Sequence, residues 1–66
     1  KVRFPVNDKG RKLNLASEAM WVKISEGSAL NGTGVLDNIP LYSNFDVGQI
    51  IRYEEDEDGF PKYKAS

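Results

Sequence analysis

Turn-forming residues interrupt this chain about every ten positions, and the stretches between them are short and mostly alternate apolar with polar side chains. Asn7-Asp8-Lys9-Gly10, Glu26 to Gly32, Asp37-Asn38 before Ile39-Pro40, the loop Asn44 to Gly48, and Asp56 to Gly59 each contain residues that adopt turn geometry at low cost. That punctuation predicts an all-β domain of five to six short antiparallel strands, a small SH3-like or related curled β-barrel spanning residues 1–66 as one domain. Closure suits this size, because it hides edges that invite pairing between molecules. "VRFPV" reads as an extended segment with Pro5 at a strand end or edge, and "NDKG" as a turn. "RKLNLA" alternates, with Leu13 and Leu15 on one face. "GTGVLDN" is a return strand ended by "DNIP", "LYS" a short strand and "QIIRYE" a further one. "FPKYK" pairs back as a short edge strand after the turn at "DEDG".

The strongest alternation lies in "EAMWVKIS". On one strand, Met20, Val22 and Ile24 share a face while Trp21, Lys23 and Ser25 share the other. β-Branched and aromatic content favours the strand; a helix around "LASEAM", capped by Ser17, is the competing reading. The only methionine and the only tryptophan therefore part company. Met20 goes to the core, and Trp21 to the opposite, wetter face, partly covered.

Composition removes several chemistries. With 66 residues the chain buries only about 60% of the surface its unfolded form exposes. It holds no cysteine, so no disulfide or thiolate, which fits a reducing, cytoplasmic setting, and no histidine, the commonest general base. No apolar run approaches the roughly 20 residues that cross a bilayer. The first residue is Lys1 rather than Met, as in a processed product or an excised domain. The net charge of -1 conceals a basic start, Lys1, Arg3, Lys9, Arg11 and Lys12, and an unbroken acidic run, Glu54 to Asp58.

"EAMWVKI", then "GTGVLDNIP", then "FDVGQIIRY" resemble the YegJ-like family of small bacterial domains over roughly Glu18 to Tyr53. There a Glu-x-Met-Trp-Val strand leads into a hairpin whose return strand reads Gly-x-Leu-x-Asn-x-Pro. A loop ending in a hydrophobic-Gly-polar step and a last apolar strand follow. This chain departs from the pattern at Gln49, where the family usually carries an acid, and in its tail "EEDEDGFPKYKAS". The resemblance supports a small β fold and implies no biochemical activity.

Two surfaces stand out as binding candidates. Trp21 combines large apolar area with one donor, as interface anchors do, though a capping role on the barrel competes with this. Lys23 shares its face, and Tyr53 on a neighbouring strand is expected to extend the patch. Glu54, Glu55, Asp56, Glu57 and Asp58 repel one another and are expected in a solvated loop. There they would steer a basic partner or mimic a phosphate backbone. A calcium loop is disfavoured because Ala65 stands where a bidentate Glu is needed, and no metal or other cofactor is expected. Nucleic acid is a less favoured partner for a slightly acidic chain, and the basic start has the acidic run to pair with.

"GTG" lacks the following Lys-Ser/Thr of a phosphate loop and implies turn or bulge geometry. Asp46 has no evident base or nucleophile beside it, and a barrel this small leaves little room for a pocket of the usual ~300 Å³ or more. The reading is therefore a non-catalytic protein-interaction or accessory module. Its unpaired ends, "KVRFP" and "FPKYK", would be free to form a homodimer through an edge strand.

Overall fold

The computed structural model describes residues 1–65 and shows one six-stranded sheet curled into a half-barrel, with a single short helix. The strands are β1 (Val2–Phe4), β2 (Glu18–Met20), β3 (Val22–Gly27), β4 (Gly32–Leu36), β5 (Ile50–Glu55) and β6 (Pro61–Lys64); α1 covers Asp8–Lys12. Their order across the sheet is β2-β1-β6-β5-β4-β3. No helix among the described residues is long and apolar enough to cross a membrane.

The all-β reading holds, with corrections to its topology. The sheet is mixed rather than antiparallel throughout, because β1 and β6 run parallel and join through Arg3 and Lys62. "FPKYK" is therefore not an edge. Pairing with both β1 and β5 places β6 inside the sheet, so the two chain ends expected to be free satisfy each other. The sheet's edges are β2 and β3, which follow one another in the chain. The strand expected over Glu18 to Ser25 breaks at Trp21, its first part pairing with β1 and its second with β4. The chain thus passes from one edge of the sheet to the other across a single residue.

The core is Val2, Phe4, Met20, Leu36, Ile51 and Tyr53. β1, β4, β5 and β6 send alternate residues inward, as a sheet with one buried face requires. Phe45 and Tyr63 pack on Phe4 with ring centroids 4.9 and 5.8 Å away. Val22, at the start of β3, is half-buried against this core, but Ile24 is exposed, because β3 is an edge with no strand beyond it among the described residues.

The "GTG" glycines serve close strand approach within β4. A Cβ on Gly34 would lie 2.5 Å from Val22 Cγ1 and 2.6 Å from the Lys23 carbonyl oxygen. A bulge is present, but on β3, where the register shifts between Ile24 and Glu26.

"NDKG" forms a helix rather than a turn. The Asn7 side chain caps it by accepting from the Gly10 amide at 3.1 Å. "RKLNLA" is its exit, not a strand. Asn14 takes φ 61° and donates to Arg11 O while the Leu15 amide donates to Gly10 O, the Schellman arrangement. The residues that mark a turn and those that cap a helix are the same, so this helix hides in turn vocabulary. "LYS" is not a strand either; the Leu41 and Tyr42 amides donate to the Glu18 carboxylate instead.

Candidate interaction surface

Trp21 stands at the corner where β2 gives way to β3, and its side chain is 59% exposed. Its neighbour Met20 is fully buried, so the two rare apolar residues divide between core and surface as the alternation implies. The corner is held through both main-chain polar groups of Trp21. The Trp21 amide donates to Asn38 Oδ1 at 3.0 Å, and its carbonyl accepts from the Asp37 amide at 3.0 Å. Continuing the Val2–Met20 register by one residue sets Lys1 beside Trp21, and Lys1 Nζ lies 5.2 Å from the ring centroid.

The loop after β4 completes this corner. Glu18, on β2, points its carboxylate at that loop and accepts from the Leu41 amide at 2.8 Å, the Tyr42 amide at 3.0 Å and the Ser43 hydroxyl. Burial works to raise the Glu18 carboxyl. The Ser43 hydroxyl and the Leu41 and Tyr42 amides outweigh it and hold the group below the usual glutamate range. One carboxylate thus replaces the strand partner that "LYS" would otherwise need. The loop is tied to Trp21 at Asp37 and Asn38 and to Glu18 at Leu41 to Ser43. Between those ties Ile39 is 76% and Leu41 67% exposed. Trp21 at the corner, and Ile39 and Leu41 in the loop tied to it, are therefore large exposed apolar side chains carried on braced main chain.

Lys23 is exposed on the outer face of β3, in a cross-strand row with Val35 and Ile50. Tyr53 is not part of the surface. It is 3% exposed, and its hydroxyl donates to Ser28 O at 2.6 Å. Alternation pairs Tyr53 with Ile51 but does not say which face is inward, and the inward face is theirs. Ile50 and Arg52 are the outward pair on β5.

The acidic run does not behave as one unit. Strand β5 carries Glu54 and Glu55 and sends them to opposite faces. Lys64 Nζ lies 3.6 Å from Glu54, with both side chains well exposed. Asp56 begins the turn and accepts from the Asp58 amide at 2.8 Å and the Phe60 amide at 2.9 Å. Arg3, from the basic start, reaches Asp56 at 4.0 Å and covers the Phe60 ring at 4.3 Å from its centroid. The Phe60 amide first, then the Asp58 amide, Arg3 and Lys62, keep the Asp56 carboxyl below its ordinary value against a smaller opposing effect of burial. Glu57 and Asp58 lie exposed at the tip. No cluster of three or more potential metal ligands occurs among the described residues.

An open groove of about 550 Å³ runs beside the single-bridge seam between β1 and β6. This corrects the expectation that so small a barrel leaves little room for one. Phe4, Pro5 and Tyr63 line it, with Arg3, Lys62 and Asp56 as its charged groups. The groove follows from the parallel pairing, which no local sequence signal announced.

Arg3, Arg52, Lys62 and Lys64 are all exposed on the three adjacent strands β1, β6 and β5. Three of them lie far from the basic start in sequence, and the topology gathers them. Comparison with protein-family models, with curated proteins and with solved structures found no match. The likeness to YegJ-like domains therefore rests on the quoted residues alone.

Proposed function

We propose that this chain is a non-catalytic protein-interaction module, an SH3-like accessory or regulatory domain of a bacterial or phage protein, whose contact surface centres on Trp21. The observation that carries this reading is the combination of exposure and bracing at Trp21. More than half the side chain is in solvent, yet its main chain is pinned on both sides. A large aromatic group carried on a fixed main chain loses little backbone entropy on binding, which favours such groups as interface anchors. Ile39 and Leu41 widen the apolar area. Lys23 and Lys1 supply charge at its rim, and the carboxylates of Glu54 to Asp58 act at longer range as a guide.

Mimicry of a nucleic-acid backbone would use the same five carboxylates together. The engagement of Asp56 by two amides and Arg3, and of Glu54 by Lys64, favours the steering role instead. A second reading, binding of single-stranded nucleic acid, draws on one specific observation. Lys1 lies over Trp21, and the outward cations of β1, β6 and β5 follow in sequence across the sheet.

The test is capture from a bacterial lysate at about 0.1 M and about 0.5 M salt, over which the Debye length falls from roughly 10 Å to well below that. Trp21→Ser serves as the control. A protein held at both salts by the wild type, and lost from Trp21→Ser, supports the module. Capture at low salt alone, unaffected by Trp21→Ser, supports charge mimicry. Nuclease-sensitive capture supports the second reading.

A further inference from the structure

Strand β3 is an edge of six residues, five of them exposed, with β4 as its only strand partner among the described residues. Hydrogen bonds on either side of its bulge fix which backbone groups point where. Trp21 O accepts from the Asp37 amide before it, and the Ser28 amide donates to Asn31 O after it. Antiparallel ladders alternate, so Lys23 and Glu26 also direct their backbone toward β4. Val22, Ile24 and Gly27 turn theirs to the vacant edge. The side chains follow a second rule. Lys23 pairs with Val35 and Glu26 with Thr33, which lie in the outward rows of Ile50 and Arg52. Residues three apart on a regular strand face opposite ways. The extra residue at the bulge brings Lys23 and Glu26 to one face.

We infer that β3 pairs antiparallel with β3 of a second copy of this chain, about a two-fold axis between Ile24 and Ser25. That register sets Val22 opposite Gly27 of the second copy, each with its backbone groups aimed at the other. It sets Lys23 opposite Glu26 of the second copy, on the same outer face, and the symmetry makes the charge pair twice. Backbone direction, side-chain face and charge agree in this register at the Val22–Gly27 and Lys23–Glu26 pairs, which flank the bulge, while the Ile24–Ser25 pairs at the axis fall on the bulge itself and add no regular ladder bonds. A shift of two residues either way leaves both Lys23 and Glu26 facing uncharged residues. Lysine on an edge strand and a bulge are also devices that repel unrelated strands. Here the lysine meets its counter-charge only in a copy of itself, which gives the edge selectivity as well as affinity. The contact is one short ladder, so the dimer is weak, in the range of transient interfaces.

Sedimentation equilibrium from about 5 μM to about 1 mM tests it, a span wide enough to cross the midpoint of a weak dimer. The wild type is expected to be monomeric at the lower end and dimeric at the upper. Lys23→Glu and Glu26→Lys each place like charges opposite one another twice, and should raise the midpoint about tenfold or more. The double variant Lys23→Glu/Glu26→Lys restores both pairs and should return to within about threefold of the wild type. Exchange of the Val22 and Gly27 amides should slow at the high concentration, in the wild type and the double variant alike. A protein that stays monomeric throughout overturns the inference. So does a dimer indifferent to the single reversals, or one that leaves the Val22 and Gly27 amides unprotected. Both positions are exposed, and unchanged circular dichroism confirms that each variant folds.

Discussion

Replacing Glu18 with Ala removes the one carboxylate that holds the Leu41–Ser43 stretch against β2. Three donors lose their acceptor: the Leu41 amide, the Tyr42 amide and the Ser43 hydroxyl. Leu41 is exposed and its amide turns to water, but Tyr42 is half-buried and Ser43 buried. A hydrogen bond to a charged group contributes about 1.5–3 kcal/mol, and solvent replaces much of that where it can enter, so a total near 2 kcal/mol is expected. A domain of this length is stable by only about 3–10 kcal/mol. The melting temperature should fall by roughly 8–16 °C, measured by far-ultraviolet circular dichroism. Glu18→Gln keeps one acceptor oxygen and should lose about half as much.

The pH dependence has a definite sign. The folded protein holds the Glu18 carboxyl below its ordinary value. Its contribution is thus fully present above the usual glutamate pKa of about 4.3, and is lost as pH falls through the lower folded value. Subtracting the Glu18→Gln profile from that of the wild type should show a gap that closes on acidification. An alanine variant melting within about 3 °C of the wild type at neutral pH would refute the bracing argument. So would a gap that persists unchanged in acid.

Gly34→Ala forces a Cβ within 2.6 Å of the Lys23 carbonyl, a backbone atom that cannot move aside cheaply. It should cost about 1–3 kcal/mol in chemical denaturation, and Val22→Ala should not rescue it. Tyr53→Phe removes the donor to Ser28 O but leaves the buried ring. A loss of about 1 kcal/mol with no change in partner binding is expected, and impaired binding would place Tyr53 back on the surface. Asp56→Asn removes charge that Arg3 faces and weakens acceptance from two amides. It should loosen the turn, seen as faster exchange of the Phe60 amide.

What the sequence disclosed depended on whether the signal was local. Period-two alternation separated Met20 from Trp21 and joined Ile51 to Tyr53, and together with the turn residues it marked the segments that hold β1, β4, β5 and β6 and the one segment that divides into β2 and β3. It carried no information on which face was inward, and for β5 that choice decides whether Tyr53 is core or contact surface. Turn residues marked the breaks faithfully but did not distinguish a turn from the capped helix at Asp8–Lys12, since Asn7 and Asn14 serve either. The "EAMWVKIS" alternation runs unbroken through Trp21. The change of strand partner there is a tertiary event, set by where β1 and β4 lie. The parallel β1–β6 seam and its groove are likewise products of topology, as is the gathering of Arg3, Arg52, Lys62 and Lys64. The acidic run was legible as a run, but strand alternation and the needs of a turn divide its members among different tasks.

Trp21 is proposed to anchor a protein partner. With the captured partner in hand, the decisive measurement is its equilibrium affinity for the wild type and for Trp21→Ser by titration calorimetry. About two-fifths of the residue is covered, so the substitution should cost about 1–2 kcal/mol of stability, and circular dichroism showing that the variant is folded lets a loss of affinity report the contact itself. An anchor of this kind contributes about 2 kcal/mol or more, so affinity should drop roughly thirtyfold or further, while neutralising Glu54 to Asp58 should mainly slow association. A folded Trp21→Ser protein that binds its partner as tightly as the wild type would contradict the account.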